Sequence, residues 1–296
     1  MSLFNNMLGR LFPPTGTPPV EDERSPEAAP AKAEEKRSVS VPPIDLEMAN
    51  AIARVAAQRI KPPRQFPGLP GSDPELLAEI GRRVREKLEA DASAVRQPAT
   101  NMDMYLVPDF LSAEECSELI ALIDADAKPS TRLASDADPT FRTSHTCHLL
   151  PSHAVVAETE RRMAELLGIE LRFSETLQGQ RYFTGQQFKT HNDYVAGGQH
   201  YSEIVAREGG QRTWTAMVFL NEPEAGGQTN FERAGIRIAP RTGTLLTWNN
   251  LDRSGLPNPY THHEGMKVEG GSKYVLTKWF REREWHKCAE SDAVRV

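Results

Sequence analysis

The chain has 296 residues, 39% of them hydrophobic and 26% charged, which suits one large domain or one domain with an extension. No apolar run approaches the ~18–20 residues that cross a bilayer, so no membrane span is expected. A net charge of −6 and a pI near 5.8 give no long-range pull on phosphate backbones, so nucleic acid is not an expected partner.

In residues 1–12, Leu3, Phe4, Met7, Leu8, Leu11 and Phe12 form the stripe of a short amphipathic helix, with a frayed terminus as the competing reading. Residues 13–43 are rich in Pro, Ala, Glu and Lys and read as a flexible linker. Of the 22 prolines, 14 lie in the first 98 residues, and only three aromatics, Phe4, Phe12 and Phe66, lie there. The core is therefore expected after about residue 100, with residues 1–100 as a Pro-rich N-terminal extension, 101–287 as the principal domain and 288–296 as a tail.

Two packing helices are expected in the extension. Asp45 can cap a stretch carrying Leu46, Ile52, Val55 and Ile60, and Asp73-Pro74 opens another with Leu77, Ile80, Val84 and Leu88 on one face. Ser112-Ala-Glu-Glu115 has the capping-box pattern before Leu119, Ile120 and Ile123, and a further helix over 154–167 is stopped by Gly168. Cys116, Cys147 and Cys288 are odd in number and widely spaced, which indicates neither a disulfide framework nor a structural zinc site. A reducing compartment fits, and without a secretory leader pattern the cytoplasm is the default expectation.

After residue 170 short β-rich runs dominate: 181–183, 213–220, 229–232, 236–238, 244–248 and 274–280, separated by Gly, Pro and Asn turns. Helices followed by many short strands predict an α+β chain built on an antiparallel sandwich or jelly roll.

The sharpest local feature is His191-Asn192-Asp193. On an extended chain, residues i and i+2 share a face, so an imidazole and a carboxylate can converge on one ion. Thr261-His262-His263-Glu264 offers the third ligand. Two histidines and one carboxylate form the facial triad of non-haem Fe(II) oxygenases, although zinc hydrolases use the same ligand types. Ten residues after His263, Lys273 lies on the expected next strand. A buried cation there could hold the far carboxylate of 2-oxoglutarate, for which a zinc hydrolase has no need.

Several further motifs follow one another in order: Val107-Pro-Asp-Phe-Leu-Ser-Ala-Glu-Glu-Cys116, Arg142-Thr-Ser144, Glu175-Thr-Leu-Gln178, Tyr182-Phe-Thr-Gly-Gln186, Arg212 through Asn221, Gly226 through Phe231, Pro240 through Trp248, and Lys273 through Trp279-Phe280. Over roughly residues 104–284 the chain resembles the prolyl 4-hydroxylase family of Fe(II)/2-oxoglutarate-dependent dioxygenases. The resemblance implies a double-stranded β-helix (jelly roll) with supporting helices. It implies iron ligands His191, Asp193 and His263, and Lys273 on 2-oxoglutarate with Tyr182 and Thr229 assisting. It places Glu175, Arg212 and Trp279 toward the substrate, where plainer roles would be a strand-end salt bridge and a core aromatic. Oxygen is the third reactant, and ascorbate is an optional reductant of oxidised iron that the sequence does not decide.

The chain departs from the family pattern at His262, which leaves two candidate imidazoles; the spacing to Lys273 favours His263. It departs also at Lys267, in place of a common Pro, at Phe188, where a substrate-side Tyr is frequent, and at Arg281, where a His can occur. Residues 194–211, with glycines and two tyrosines, read as a mobile loop able to act as a lid. The expected activity is hydroxylation of an unactivated C–H, first of a prolyl residue in a protein or peptide. The alternatives are the same chemistry on a free amino acid or other small molecule, a non-catalytic jelly-roll binding module, or a zinc hydrolase. Oligomeric state is open.

Overall fold

The computed structural model describes residues 46–59, 65–130, 138–198 and 201–286, which fall in one unit, Ile44–Val296. The amphipathic stretch 1–12, the linker 13–43, Asp45, Ile60, His200, Cys288 and the tail 288–296 lie outside the described residues.

In chain order the elements are α1 (Leu46–Arg59), α2 (Pro74–Ala90), β1 (Val95–Arg96), β2 (Met104–Val107), α3 (Ala113–Asp126), β3 (Lys128–Pro129), β4 (His145–His148), α4 (Ala154–Leu167), β5 (Gln178–Phe183), β6 (Phe188–His191), α5 (Ser202–Arg207), β7 (Arg212–Phe219), β8 (Ala225–Gly226), β9 (Thr229–Phe231), β10 (Ile236–Ile238), β11 (Leu245–Asn249), β12 (His263–Gly265), β13 (Val268–Gly270) and β14 (Ser272–Arg281). Each β-rich run expected from the sequence forms a strand, with ends shifted by at most three residues.

The helix starts follow their caps. Asp73 accepts from the amides of Glu75 and Leu76 ahead of Pro74, and Ser112 and Glu115 complete a reciprocal capping box. Each such cap contributes about 1 kcal/mol. Gly168 ends α4 at φ 66°, a left-handed conformation that glycine adopts without cost.

All strand pairings among the described residues are antiparallel. Eight strands run in the order β1-β2-β11-β7-β14-β5-β4-β3, four in the order β10-β9-β12-β6, and β13 pairs with β8. Strand parity separates the two faces of the large sheet. Trp214, Ala216, Val218, Leu245, Leu276 and Phe280 pack with Val84 and Leu88 of α2, Leu119 and Ile123 of α3, and Val156 and Met163 of α4. On the opposite face Tyr182, Met217, Phe219, Leu246, Trp248 and Val275 pack with Phe231, Ile236 and Ile238 of the four-stranded sheet. Each buried Val, Leu, Ile, Met or Phe among them contributes about 1.5–3 kcal/mol by leaving water. Along β14, Lys278 falls on the helix side, where its ammonium pairs with Glu160 of α4 at 2.7 Å. Lys273, Val275, Thr277 and Trp279 have the parity of the face between the sheets, up to the register shift between Phe280 and Arg281.

Although α2 lies outside the region of resemblance, it is part of the core through Leu77, Val84 and Leu88. The apolar stripe of α1 behaves differently from its expectation as a packing face. Ile52 and Val55 are 60% and 53% exposed. Asn50 instead joins both backbone groups of Arg237 on the edge strand β10, donating to its carbonyl at 3.0 Å and accepting from its amide at 2.9 Å. Such a contact satisfies an otherwise open strand edge.

Candidate active site

His191 ends β6, and His263 opens β12 as its register partner. Asp193 follows two residues later, but in a bend rather than on an extended strand, so its convergence with His191 is not the strand alternation expected from the motif. One donor atom from each of His191, Asp193 and His263 lies within 4.8 Å of the others. His191 Nε2 is 3.9 Å from Asp193 Oδ1, and the two imidazole centroids are 4.3 Å apart. His262 is outside this cluster.

Both rings are oriented by the same device. Nδ1 of His191 meets the Lys189 carbonyl at 2.8 Å, and Nδ1 of His263 meets the Thr261 carbonyl at 2.8 Å. A carbonyl only accepts, so each Nδ1 carries a hydrogen, and in the neutral tautomer this leaves the lone pair on Nε2. Burial first, then neighbouring His263, pushes His191 down to about 3, which leaves its imidazole neutral at pH 7. Burial works against the Asp193 anion, yet the imidazoles of His263 and His191 and the Arg212 guanidinium hold its carboxyl below the usual carboxylate range. Thr215 donates to Asp193 Oδ2 at 2.8 Å. Phe188 stacks on His191 with centroids 3.6 Å apart, and Arg142 lies 4.7 Å over the Phe188 ring.

Lys273 pairs in register with Tyr182 across the β14–β5 ladder. Its ammonium lies 5.7 Å from the Tyr182 ring centroid and 5.5 Å from that of Phe219, 3% exposed, with no hydrogen bond or ion pair among the described residues. Burial pushes it down to about 7. Gly227, at φ 72°, sits where a Cβ would come within 3.3 Å of Lys273 Cδ. Two residues on, the Thr229 hydroxyl is buried without a partner. Tyr182 donates its hydroxyl hydrogen to Gln180 at 2.6 Å, and Gln180 donates to Gln178 at 2.9 Å.

Glu175, Arg212 and Trp279 also come together. Arg212 Nε and Nη2 reach the Glu175 carboxylate at 2.5 and 2.8 Å, while the guanidinium lies 4.0 Å over the Trp279 ring. Arg281 makes a second ion pair to Glu175 at 2.7 Å. Glu175 thus joins two guanidiniums, a fuller arrangement than the strand-end salt bridge that was the plainer alternative to a substrate-side role. His145 and His148 lie on β4 and do not enter the cluster; His145 packs against Phe183 instead.

Among its described residues the segment 194–211, expected as a mobile loop, carries the helix α5 and is anchored at its base. Gln211 accepts from the Val195 amide at 2.9 Å and donates to its carbonyl at 2.7 Å, closing the base. Tyr194 packs with Leu77 and Leu251, and Val195 and Val205 with Leu69. Sequence reasoning did not single out Thr215 or Gln211. For Thr215 the signal was polarity inside a buried stretch, since Thr213 and Thr215 interrupt the apolar run of β7 that follows Arg212.

Residues 177–281 match the family model of the 2OG-Fe(II) oxygenase superfamily. Prolyl 4-hydroxylase subunit alpha-2 of Gallus gallus is 32% identical over 184 residues, 59% of this chain and 33% of that protein. Prolyl 4-hydroxylase 5 of Arabidopsis thaliana is 30% identical over 202 residues, 60% of this chain and 67% of that protein. The chain belongs to the prolyl 4-hydroxylase family. Among solved structures, the viral collagen prolyl hydroxylase of Paramecium Bursaria Chlorella virus-1 aligns with 26% identity and a TM-score of 0.48, covering 60% of this chain and 94% of the other. The chain spans a third of the length of the chicken relative.

The donor set fits the cofactors of a prolyl 4-hydroxylase. One carboxylate and two imidazoles with free Nε2 atoms suit Fe(II) and leave adjacent positions open. The unpaired Lys273 ammonium and the orphaned Thr229 hydroxyl are groups that an oxygen-rich anion such as 2-oxoglutarate would satisfy.

Proposed function

We propose that this chain hydroxylates an unactivated C–H of a prolyl residue in a protein or peptide, consuming 2-oxoglutarate and oxygen and releasing succinate and carbon dioxide. The observation that carries this reading is the triad with the uncompensated Lys273 on the neighbouring sheet face. A non-catalytic module has no need of both. The prolyl substrate is supported by the relatives, which are named as prolyl 4-hydroxylases.

In this reading His191, Asp193 and His263 hold iron, which supplies the oxygen chemistry that side chains lack. Lys273 binds the distal carboxylate of 2-oxoglutarate, and its charge is restored by that contact. Thr229 and Tyr182 assist, Thr229 through the hydroxyl that has no partner in the protein. Glu175 fixes the Arg212 guanidinium by two hydrogen bonds, and the Trp279 ring supports its face, so Arg212 is held in one orientation toward the substrate. Phe188 walls the His191 side. Met217, Phe219, Phe231 and Trp248 exclude water from beneath the site.

Residues 101–287 form the catalytic domain in this reading, buttressed by α2. The eight- and four-stranded sheets are the two walls of a double-stranded β-helix, and a cytoplasmic location fits the cysteine pattern.

The test is succinate formation from 2-oxoglutarate with Fe(II) and oxygen, for the wild type and Asp193→Ala, against proline-containing peptides, free proline and other amino acids. Stimulation by a peptide, lost in the variant, supports the proposal. Stimulation by a free amino acid alone would transfer the chemistry to a small molecule. A wild type that neither binds nor consumes 2-oxoglutarate would overturn the enzymatic reading.

A further inference from the structure

Of the three triad residues, Asp193 is the one outside a strand, so the sheet does not orient its carboxylate. A buried chain of hydrogen bonds does. The Trp248 indole donates to Asn250 Oδ1 at 2.9 Å, Asn250 Nδ2 donates to Thr215 Oγ1 at 2.9 Å, and Thr215 donates to Asp193 Oδ2 at 2.8 Å. Trp248, Asn250 and Thr215 are 1%, 0% and 0% exposed, so bulk water does not compete for these contacts.

We propose that Trp248, Asn250 and Thr215 are positioning residues whose directional chain presents Asp193 to the metal through Oδ1, an inference that rests on the proposed reading of the site. The direction follows from the donor inventory. An indole N–H can only donate, so the Asn250 carbonyl must face Trp248 and its amide group must face Thr215. The Thr215 oxygen then accepts, and its one hydrogen is left for Asp193. That commits Oδ2 to the protein. Oδ1, 3.9 Å from His191 Nε2, stays on the side of the imidazoles.

The scaffold keeps the chain in place. Trp248 and Thr215 are register partners on β11 and β7. Asn250 is pinned through its own backbone, donating to the Thr213 carbonyl at 2.8 Å and accepting from the Asn258 amide at 3.0 Å. Supporting contacts of this kind typically change metal affinity by about 10–100-fold when removed.

The test is anaerobic titration of the full chain with Co(II), read by its d–d absorption, and with Fe(II), for the wild type, Thr215→Val, Thr215→Ser and Asn250→Leu. Metal-free thermal midpoints are measured alongside. Thr215→Val is expected to weaken Co(II) binding by about 10–100-fold and to change the d–d spectrum. Thr215→Ser, which keeps the hydroxyl, restores both, and Asn250→Leu falls between them. Should Thr215→Val fail to fold, Asn250→Leu carries the test. Wild-type affinity and spectrum in Thr215→Val or Asn250→Leu, or equal weakening in Thr215→Ser and Thr215→Val, overturns the proposal. A folded wild type that takes up neither metal overturns the site reading itself, which is a distinct result.

Discussion

His191 and His263 face each other as register partners across the β6–β12 ladder, and each ring is turned by the backbone carbonyl two residues before it. The pairing makes the two imidazoles one unit, with both free nitrogens set by backbone rather than by rotamer choice. Replacing His263 by Ala should abolish metal uptake and 2-oxoglutarate turnover while leaving the large sheet intact. Metal analysis of anaerobically loaded protein beside its circular dichroism spectrum checks this.

Lys273 is expected to bind at the cost of stability. A buried ammonium without a counter-ion is unfavourable, so Lys273→Met should leave the cofactor-free protein at least as stable while raising the KM for 2-oxoglutarate. Measuring KM together with the thermal midpoint separates the two effects.

The same residue gives a pH signature. Burial lowers the folded-state value from 10.5 to about 7, so between those values the unfolded chain binds more protons and the lysine contribution to stability rises with pH. Below about pH 7 the full penalty is present. The midpoint difference between Lys273→Met and the wild type, both without cofactor, should therefore shrink from pH 7 to pH 9. Affinity for 2-oxoglutarate should fall over the same range, because its anchor loses charge.

Glu175 is the anion shared by Arg212 and Arg281, whose side chains are 14% and 2% exposed. Glu175→Gln would leave two buried guanidiniums without a shared anion. The expected loss is about 3–5 kcal/mol, measured by urea unfolding, with substrate turnover falling further than metal affinity.

Much of the site was legible because its signals are local. His191-x-Asp193 lies within three residues, the caps at Asp73 and Ser112 announce their helices, and Lys273 follows His263 at a short spacing. Contacts between distant segments were not legible. Arg281 looked like a simple departure from the family pattern, and nothing near it in the chain indicates that Glu175 completes its ion pair. The parity of β7 puts Thr215 inward but does not name Asp193 as its acceptor. On α1, the apolar periodicity of Ile52 and Val55 pointed to packing, whereas those side chains are exposed and Asn50 makes a polar attachment to the edge strand.

The anchored base of segment 194–211 also makes a prediction. Gln211→Leu removes two hydrogen bonds to Val195 and should increase hydrogen exchange and protease cleavage across this segment with little change in Co(II) affinity. Unchanged exchange would mean that Leu69 and Leu77 hold it without help.

Because Lys273 and Trp279 have the same parity on a single strand, β14 works as a ruler. Its inward positions are graduated at about 6.6 Å, with Lys273, the proposed anchor of 2-oxoglutarate, near one end and Trp279, proposed to face the substrate, near the other. One inserted or deleted residue between them would turn one end of the scale away from the cavity while the other stayed put. The distance between the two tasks can therefore change only in steps of two residues, which leaves substitution rather than length as the route by which relatives on this scaffold can diverge in what they hydroxylate.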